Sequence, residues 1–155
     1  MSDFTPGDQF TDPMDVTWDD VTTLSNDTGG GDIVVFGTAS GPSVAGALMY
    51  LNSHGGWDSA SADVTGSGHN QLLGIAMGSD VNDDGMLVRG YFDVSTYFSG
   101  AFITGSAVYI EAHSAGYISG AAPTTSDSYA RIIGYATDTA NVIYFNPGTN
   151  WVELS

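Results

Sequence analysis

"QLLGIAMGSDVNDDGMLVRGYFDV", residues 71–94, places two short apolar runs on either side of an acidic turn. Its middle, Asp80, Asn82, Asp84 and Gly85, matches the opening of an EF-hand calcium loop. Such a loop closes its coordination shell with a bidentate Glu at the twelfth position. Counted from Asp80, that position is Tyr91. The flanking runs are strand-like rather than amphipathic helices. Asn, Asp and Gly tolerate the left-handed backbone angles that a turn needs. The stretch therefore reads as a hairpin with a solvated turn, and no metal is assigned to it.

The same rhythm runs through the rest of the chain. From residue 32 onward, apolar runs alternate with turn clusters: "DIVVFGTA" (32–39), "GALMYLN" (46–52), "GSAVYIEA" (105–112), "YARIIGYAT" (129–137), "NVIYFN" (141–146) and "NWVEL" (150–154). Gly41-Pro42, Gly55-Gly56, Pro123 and Asn146-Pro147-Gly148 mark places where strands must stop. Gly, Ser and Thr are abundant while Lys, Glu and Gln are nearly absent, so helical propensity is poor throughout. The expected fold is all-β, a compact β-barrel or sandwich.

Two blocks recur. "GALMYLNSHGGW" at 46 aligns with "GSAVYIEAHSAGY" at 105, and "QLLGIAM" at 71 aligns with "RIIGYAT" at 131. Gly46, Tyr50, Leu51 and His54 correspond to Gly105, Tyr109, Ile110 and His113, at an offset of 59 (105 − 46); Gly74 and Ala76 correspond to Gly134 and Ala136, at an offset of 60 (134 − 74). The order of both blocks is kept with a one-residue shift, which reads as a duplication over about 46–77 and 105–137. The fold is then built from two similar halves, β-tulip-like, within a domain spanning 32–155.

Residues 1–31 are rich in Asp and Thr and end in a glycine run; they read as an extended N-terminal arm. The apolar points Phe4, Phe10, Met14, Val16, Trp18, Val21 and Leu24 are too many for a pure tether, so part of the arm is expected to pack, on a neighbouring subunit or on the same domain.

Charge narrows the function classes. The chain has 155 residues, 18 acids and two cations, Arg89 and Arg131, for a formal net charge of −16. Phosphate recognition rests on Lys and Arg, so nucleic acid is excluded as a partner. High salt suits such a surface, because screening suppresses its self-repulsion. Cysteine is absent, which removes disulfides, thiolate metal sites and cysteine nucleophiles. No basic-then-apolar leader opens the chain, and no run approaches the ~18 apolar residues of a membrane span; a soluble protein without membrane contact is expected.

Reactive chemistry finds little support. His54, His69 and His113 read as exposed turn residues, because a zinc site needs convergence on one point and two of the three hold equivalent repeat positions. No G-x-S-x-G elbow occurs. A carboxylate pair is inevitable among 18 acids, and spacing alone does not give distance. The expectation is no enzyme, no catalytic residue, no metal and no cofactor. Aromatics weigh the other way: Trp57, Tyr91, Phe92, Tyr97, Phe98, Phe102 and Tyr117 lie at or near turns, where a ring can face water and a partner. Phe4, Phe10, Met14, Trp18, Tyr97, Phe98 and Phe102 are the candidate partner-binding residues.

"DDGMLVRGYFDV", "GSAVYIEAHSAGYIS", "RIIGYA" and "IYFNPGTNWVEL" together resemble small structural proteins of tailed, marine-type phages, over roughly residues 45–155. In that family such a barrel serves as a capsid decoration (cement) protein, or as a variant in fibres and tail appendages. The resemblance implies a virion protein on the outer surface of the capsid, made in the host cytoplasm. Its partners would be the major capsid protein and other copies of itself, with a trimer as the expected oligomer. The rival expectation is a fibre, neck or tail appendage module that binds a host surface glycan or receptor.

Overall fold

The computed structural model describes residues 24–39 and 43–155, and among them the chain is all-β with no helix. The strands are β1 (Gly29–Val34), β2 (Thr38–Ala39), β3 (Leu48–Leu51), β4 (Gly56–Ser59), β5 (Leu73–Ala76), β6 (Met86–Asp93), β7 (Phe98–Ser99), β8 (Ala107–Ile110), β9 (Ile118–Ser119), β10 (Tyr129–Ala130), β11 (Ile132–Ala136), β12 (Val142–Phe145) and β13 (Val152–Glu153). Eleven of them form one strongly curled sheet in the order β2-β4-β3-β5-β6-β12-β11-β8-β9-β7, with β1 also on β6; β10 and β13 form a small second sheet. Main-chain bonds from Leu48 N to Gly116 O (2.8 Å), Gly116 N to Ala60 O (2.8 Å) and Ala62 N to Glu111 O (3.0 Å) tie the two ends of the curl together.

The two halves pair in the same sequence. A parallel β2–β4 contact, then β4–β3–β5–β6, is matched by a parallel β7–β9 contact, then β9–β8–β11–β12. Met49 faces Gly74 and Leu48 faces Ile75; Val108 faces Gly134 and Ala107 faces Tyr135. Gly46 N donates to Ala76 O at 2.8 Å, as Gly105 N does to Ala136 O at 2.8 Å. Both glycines have φ near +80 to +90°, which a residue with a Cβ adopts only under strain. The one-residue shift is a net of two changes. Leu51 pairs with Trp57 but Ile110 with Ile118, so the second hairpin is two residues longer, and the loop that follows is one residue shorter.

β6 joins the halves. β1 runs antiparallel along it from Gly29↔Phe92 to Val34↔Met86, while β5 pairs with Met86 and Leu87 and β12 with Gly90–Asp93. Gly31 (φ +145°) is the partner of Gly90 (φ +151°). A Cβ on Gly90 would lie 2.1 Å from Gly30 O, and one on Gly31 would lie 2.3 Å from Arg89 O. The glycine run is thus a structural strand at the centre of the fold. The boundary expected at residue 31 moves accordingly: β1 begins at Gly29, and Asp27 N already bonds Asp93 O at 3.1 Å. The rest of the expected arm, residues 1–23, lies outside the described residues.

Burial follows from this pairing. The main core gathers Leu48, Leu73, Ile75 and Leu87 from the first half and Val108, Ile110, Ile133, Ile143 and Phe145 from the second. A second cluster, with Met49, Trp57, Ala76 and Met86, lies on the other face of the first half. Over it folds the acidic turn, with Val81 only 1% exposed. Nine residues separate the paired Ala76 and Met86, against six between Ala136 and Ile143, so the turn is also the longer of two equivalent connections.

Gly90→Ala is expected to lower unfolding free energy by at least about 3 kcal/mol, because the new methyl meets backbone oxygen with no side chain able to yield. Gly55→Ala, at φ +83° with open space around it, should cost only about 1–2 kcal/mol of backbone strain. Urea unfolding of the two variants measures the difference; equal losses would contradict the packing role of Gly90.

Candidate functional site

Strand alternation sends successive side chains to opposite faces, and the two halves use it in opposite senses. Leu73 and its counterpart Ile133 both lie in the main core, Ile133 at a bulge in β11 between Ile132 and Gly134; otherwise the senses differ, and in the first half Leu48, Ile75 and Leu87 point into the main core. By the matched register their counterparts in the second half include Ala107, Tyr135 and Tyr144, which lie on the face turned away from Val108, Ile143 and Phe145. A bulge in β6 allows this. Asp32 pairs with Arg89 and Ile33 with Leu87, so Val88 is left over; on either side of it Leu87 and Phe92 both reach the main core.

The outward face of the second half carries a row of tyrosines. Tyr91, Tyr144 and Tyr135 are direct partners across β6, β12 and β11. The Tyr91 and Tyr144 ring centroids are 5.3 Å apart. Tyr135 is 48% exposed. Beside it opens a groove of about 440 Å³, floored by Tyr109, Ile132 and Tyr135 and walled by Asn146, Asn150 and Trp151. That volume is in the range of small-molecule sites. None of its lining side chains is ionised at neutral pH, in a chain that carries 18 acids.

The wall is held by the small sheet. Tyr129 pairs with Glu153 and Ala130 with Val152. The His69 ring stacks on Tyr129 (3.8 Å between centroids, 11° between planes) and meets Trp151 edge-on at 4.7 Å. His69 is therefore packed against two rings and is not the exposed turn residue expected from the sequence. Its buried Nδ1 finds no hydrogen-bond partner among the described residues. Burial, then the nearby Arg131 charge, hold its pKa below the ordinary value, with Glu153 opposing.

Arg131, 8% exposed, anchors the same region. Its Nη1 donates to Gly68 O and Gln71 O, each at 2.7 Å, and its Nε donates to Gly148 O at 2.8 Å. One guanidinium thus fastens the 68–71 segment to the loop that carries the groove wall. Burial lowers its pKa from the ordinary arginine value. Arg89 instead forms a half-exposed ion pair with Asp32 at 2.8 Å.

The candidate partner-binding residues separate. Phe4, Phe10, Met14 and Trp18 lie outside the described residues. Phe98 and Phe102 meet edge to face at 5.5 Å and pack against the main core, and Tyr97 meets Tyr117 at 5.1 Å. All three are half-buried. Trp57 and Phe92, read as water-facing, are fully buried; the Trp57 indole N–H is satisfied by Phe36 O at 2.9 Å. His54 and His113 are exposed in equivalent hairpin turns.

Within the calcium-like turn the carboxylates are used locally. Asp80 Oδ1 accepts from Asn82 N (2.8 Å) and Asp83 N (3.2 Å), and Asp84 Oδ2 accepts from Asp80 N (3.1 Å). No group of three or more His, Asp or Glu among the described residues is arranged to hold a metal ion. Glu111 is similarly occupied. Its burial would raise its pKa, but hydrogen bonds from the Ser99 hydroxyl and from the His113 and Ala112 N–H groups outweigh that and lower it.

The sequence reading did not single out Tyr135 or Trp151. A usable signal was present: in the aligned blocks "LLGIA" and "IIGYA", core Ile75 is replaced by Tyr135. No protein-family model, curated protein or solved structure matches the chain.

Arg131→Met is expected to cost about 2–4 kcal/mol, since one buried and two part-buried carbonyls lose a charged donor; Arg89→Met, at an exposed pair, should cost under about 1 kcal/mol. Urea titration of both variants checks the ratio. For His69 the folded state favours the neutral ring, so protonation opposes folding. Stability should be level above about pH 7 and decline as pH falls below the unfolded histidine value of about 6.5. In His69→Gln that part of the decline should vanish in melting curves taken from pH 8 to 5.

Proposed function

We propose that this protein is a structural component of a phage virion: a capsid decoration protein that binds the outer surface of the head and reinforces contacts between capsomers. The observation that carries the reading is the way the N-terminal stretch is rooted. The described chain leads from Leu24 into β1, which pairs with the central strand along six residues. A pull directed along β1 would load its cross-strand bonds to β6 together, so an attachment N-terminal to β1 would hold the whole body. Many copies on a symmetric lattice would then gain by avidity what each small contact lacks. The resemblance over residues 45–155 and the net charge of −16, which suits an exterior location away from packaged DNA, support the same role.

A second reading, an appendage module that engages a receptor, is favoured by the outward tyrosine face. Copy number separates the two. Quantitative mass spectrometry of purified particles should find hundreds of copies per virion for a decoration protein and tens for an appendage; absence from particles would overturn both. Deleting residues 1–23 should strip the protein from heads, and unchanged occupancy would remove the anchoring role.

A further inference from the structure

We infer that the outward face of the second half is a binding site for a neutral oligosaccharide, seated on Tyr135 and Trp151 beside Tyr109, with its hydroxyls met by Asn146 and Asn150. The assignment does not rest on a head or an appendage location.

The first argument is the exchange of residue types between equivalent faces. Positions that hold Ile75 and Leu87 in the first half, against the main core, hold Tyr135 and Tyr144 in the second, where the face turns outward. An outward strand face in so acidic a chain could carry Asp, Ser or Thr. It carries rings with polar tips, which offer a flat apolar surface and a hydrogen-bonding edge together. Their backbones are fixed in paired strands, so little freedom remains to be lost on binding.

Charge selects the ligand class. The groove lining is uncharged, while the whole protein carries −16. An anionic ligand would approach against that field. A cationic one would be drawn to the carboxylates that lie elsewhere. Neither arginine of the chain lines the groove, and both are engaged, Arg131 by three carbonyls and Arg89 by Asp32. A neutral ligand with an apolar face and a hydroxyl edge complements what remains. Sugar rings have both: C–H faces for the aromatic platforms, and hydroxyls that donate and accept, as the amides of Asn146 and Asn150 also do. The size is in keeping, since about 440 Å³ suits a small ligand, whereas a stable protein interface buries more than about 1,000 Å².

The full chain can be run in native gels that each contain one neutral polysaccharide: dextran, mannan, galactan or a β-1,3-glucan. Retardation by at least one is expected, with apparent affinity falling at least tenfold in Tyr135→Ala and in Asn150→Ala. Both positions are exposed, so their melting temperatures should stay near that of the parent, and Val64→Ala, exposed on another surface, should bind as the parent does. Free migration in all four gels would overturn the assignment, as would undiminished retardation of Tyr135→Ala. Retardation only by an anionic polysaccharide such as alginate would overturn it as well. So would a concentration-dependent dimer in sedimentation that Tyr135→Ala abolishes, which would make the face a contact between copies.

Discussion

Gly90 and Gly31 meet backbone to backbone, with no room for a side chain on either, and the rest of the molecule is arranged around that contact. Because β1 can lie this close, one edge of β6 is covered along its whole length, and the other is divided between β5 and β12. One strand thereby belongs to both halves. Had residue 31 or 90 carried a Cβ, β1 would stand off and the centre of the sheet would be an exposed edge, which is a liability in any sheet protein.

The bulge at Val88 adds the second constraint. A one-residue slip exchanges the faces of a strand, and here the slip falls between the two halves. The face that the first half buries is therefore the face that the second half shows. Each outer surface then needs its own solution. Over the first half the acidic turn closes the second cluster with Val81. Over the second half the small β10–β13 sheet covers part of the face and leaves a groove beside Tyr135. The grooved surface and the capped surface are two outcomes of one repeated pattern.

Polar groups inside this arrangement are assigned to structure. Arg131 serves three carbonyls, Asp80 and Asp84 serve the N–H groups of their own turn, and Glu111 serves Ser99 and two N–H groups. Buried or half-buried polar atoms are costly when unpaired, and Arg131 and Glu111 meet that demand where the ladder is interrupted, while Asp80 and Asp84 serve an exposed turn. His69 is an exception, packed by ring contacts while Nδ1 goes without a partner among the described residues, as does the buried Ser128 Oγ.

Local chemistry in the sequence determined the all-β class, many of the longer strands, the hairpin at 71–94 and the correspondence of the two repeats, because alternation, turn residues and glycine placement act over a few residues; the short strands β4, β7 and β9 were not legible in it. It also identified the acidic turn as a turn, since the missing twelfth ligand is visible in the chain itself. Tertiary structure alone decided that the glycine run at 29–31 is a central strand, that Trp57 and Phe92 are core, and that His69 is packed against rings. It alone placed Tyr91, Tyr144 and Tyr135 side by side on an outer face. The physical reason is that a single unpaired residue, Val88, reverses which side of the sheet meets the core, and a bulge is a property of two strands in register, which neither strand's sequence contains by itself.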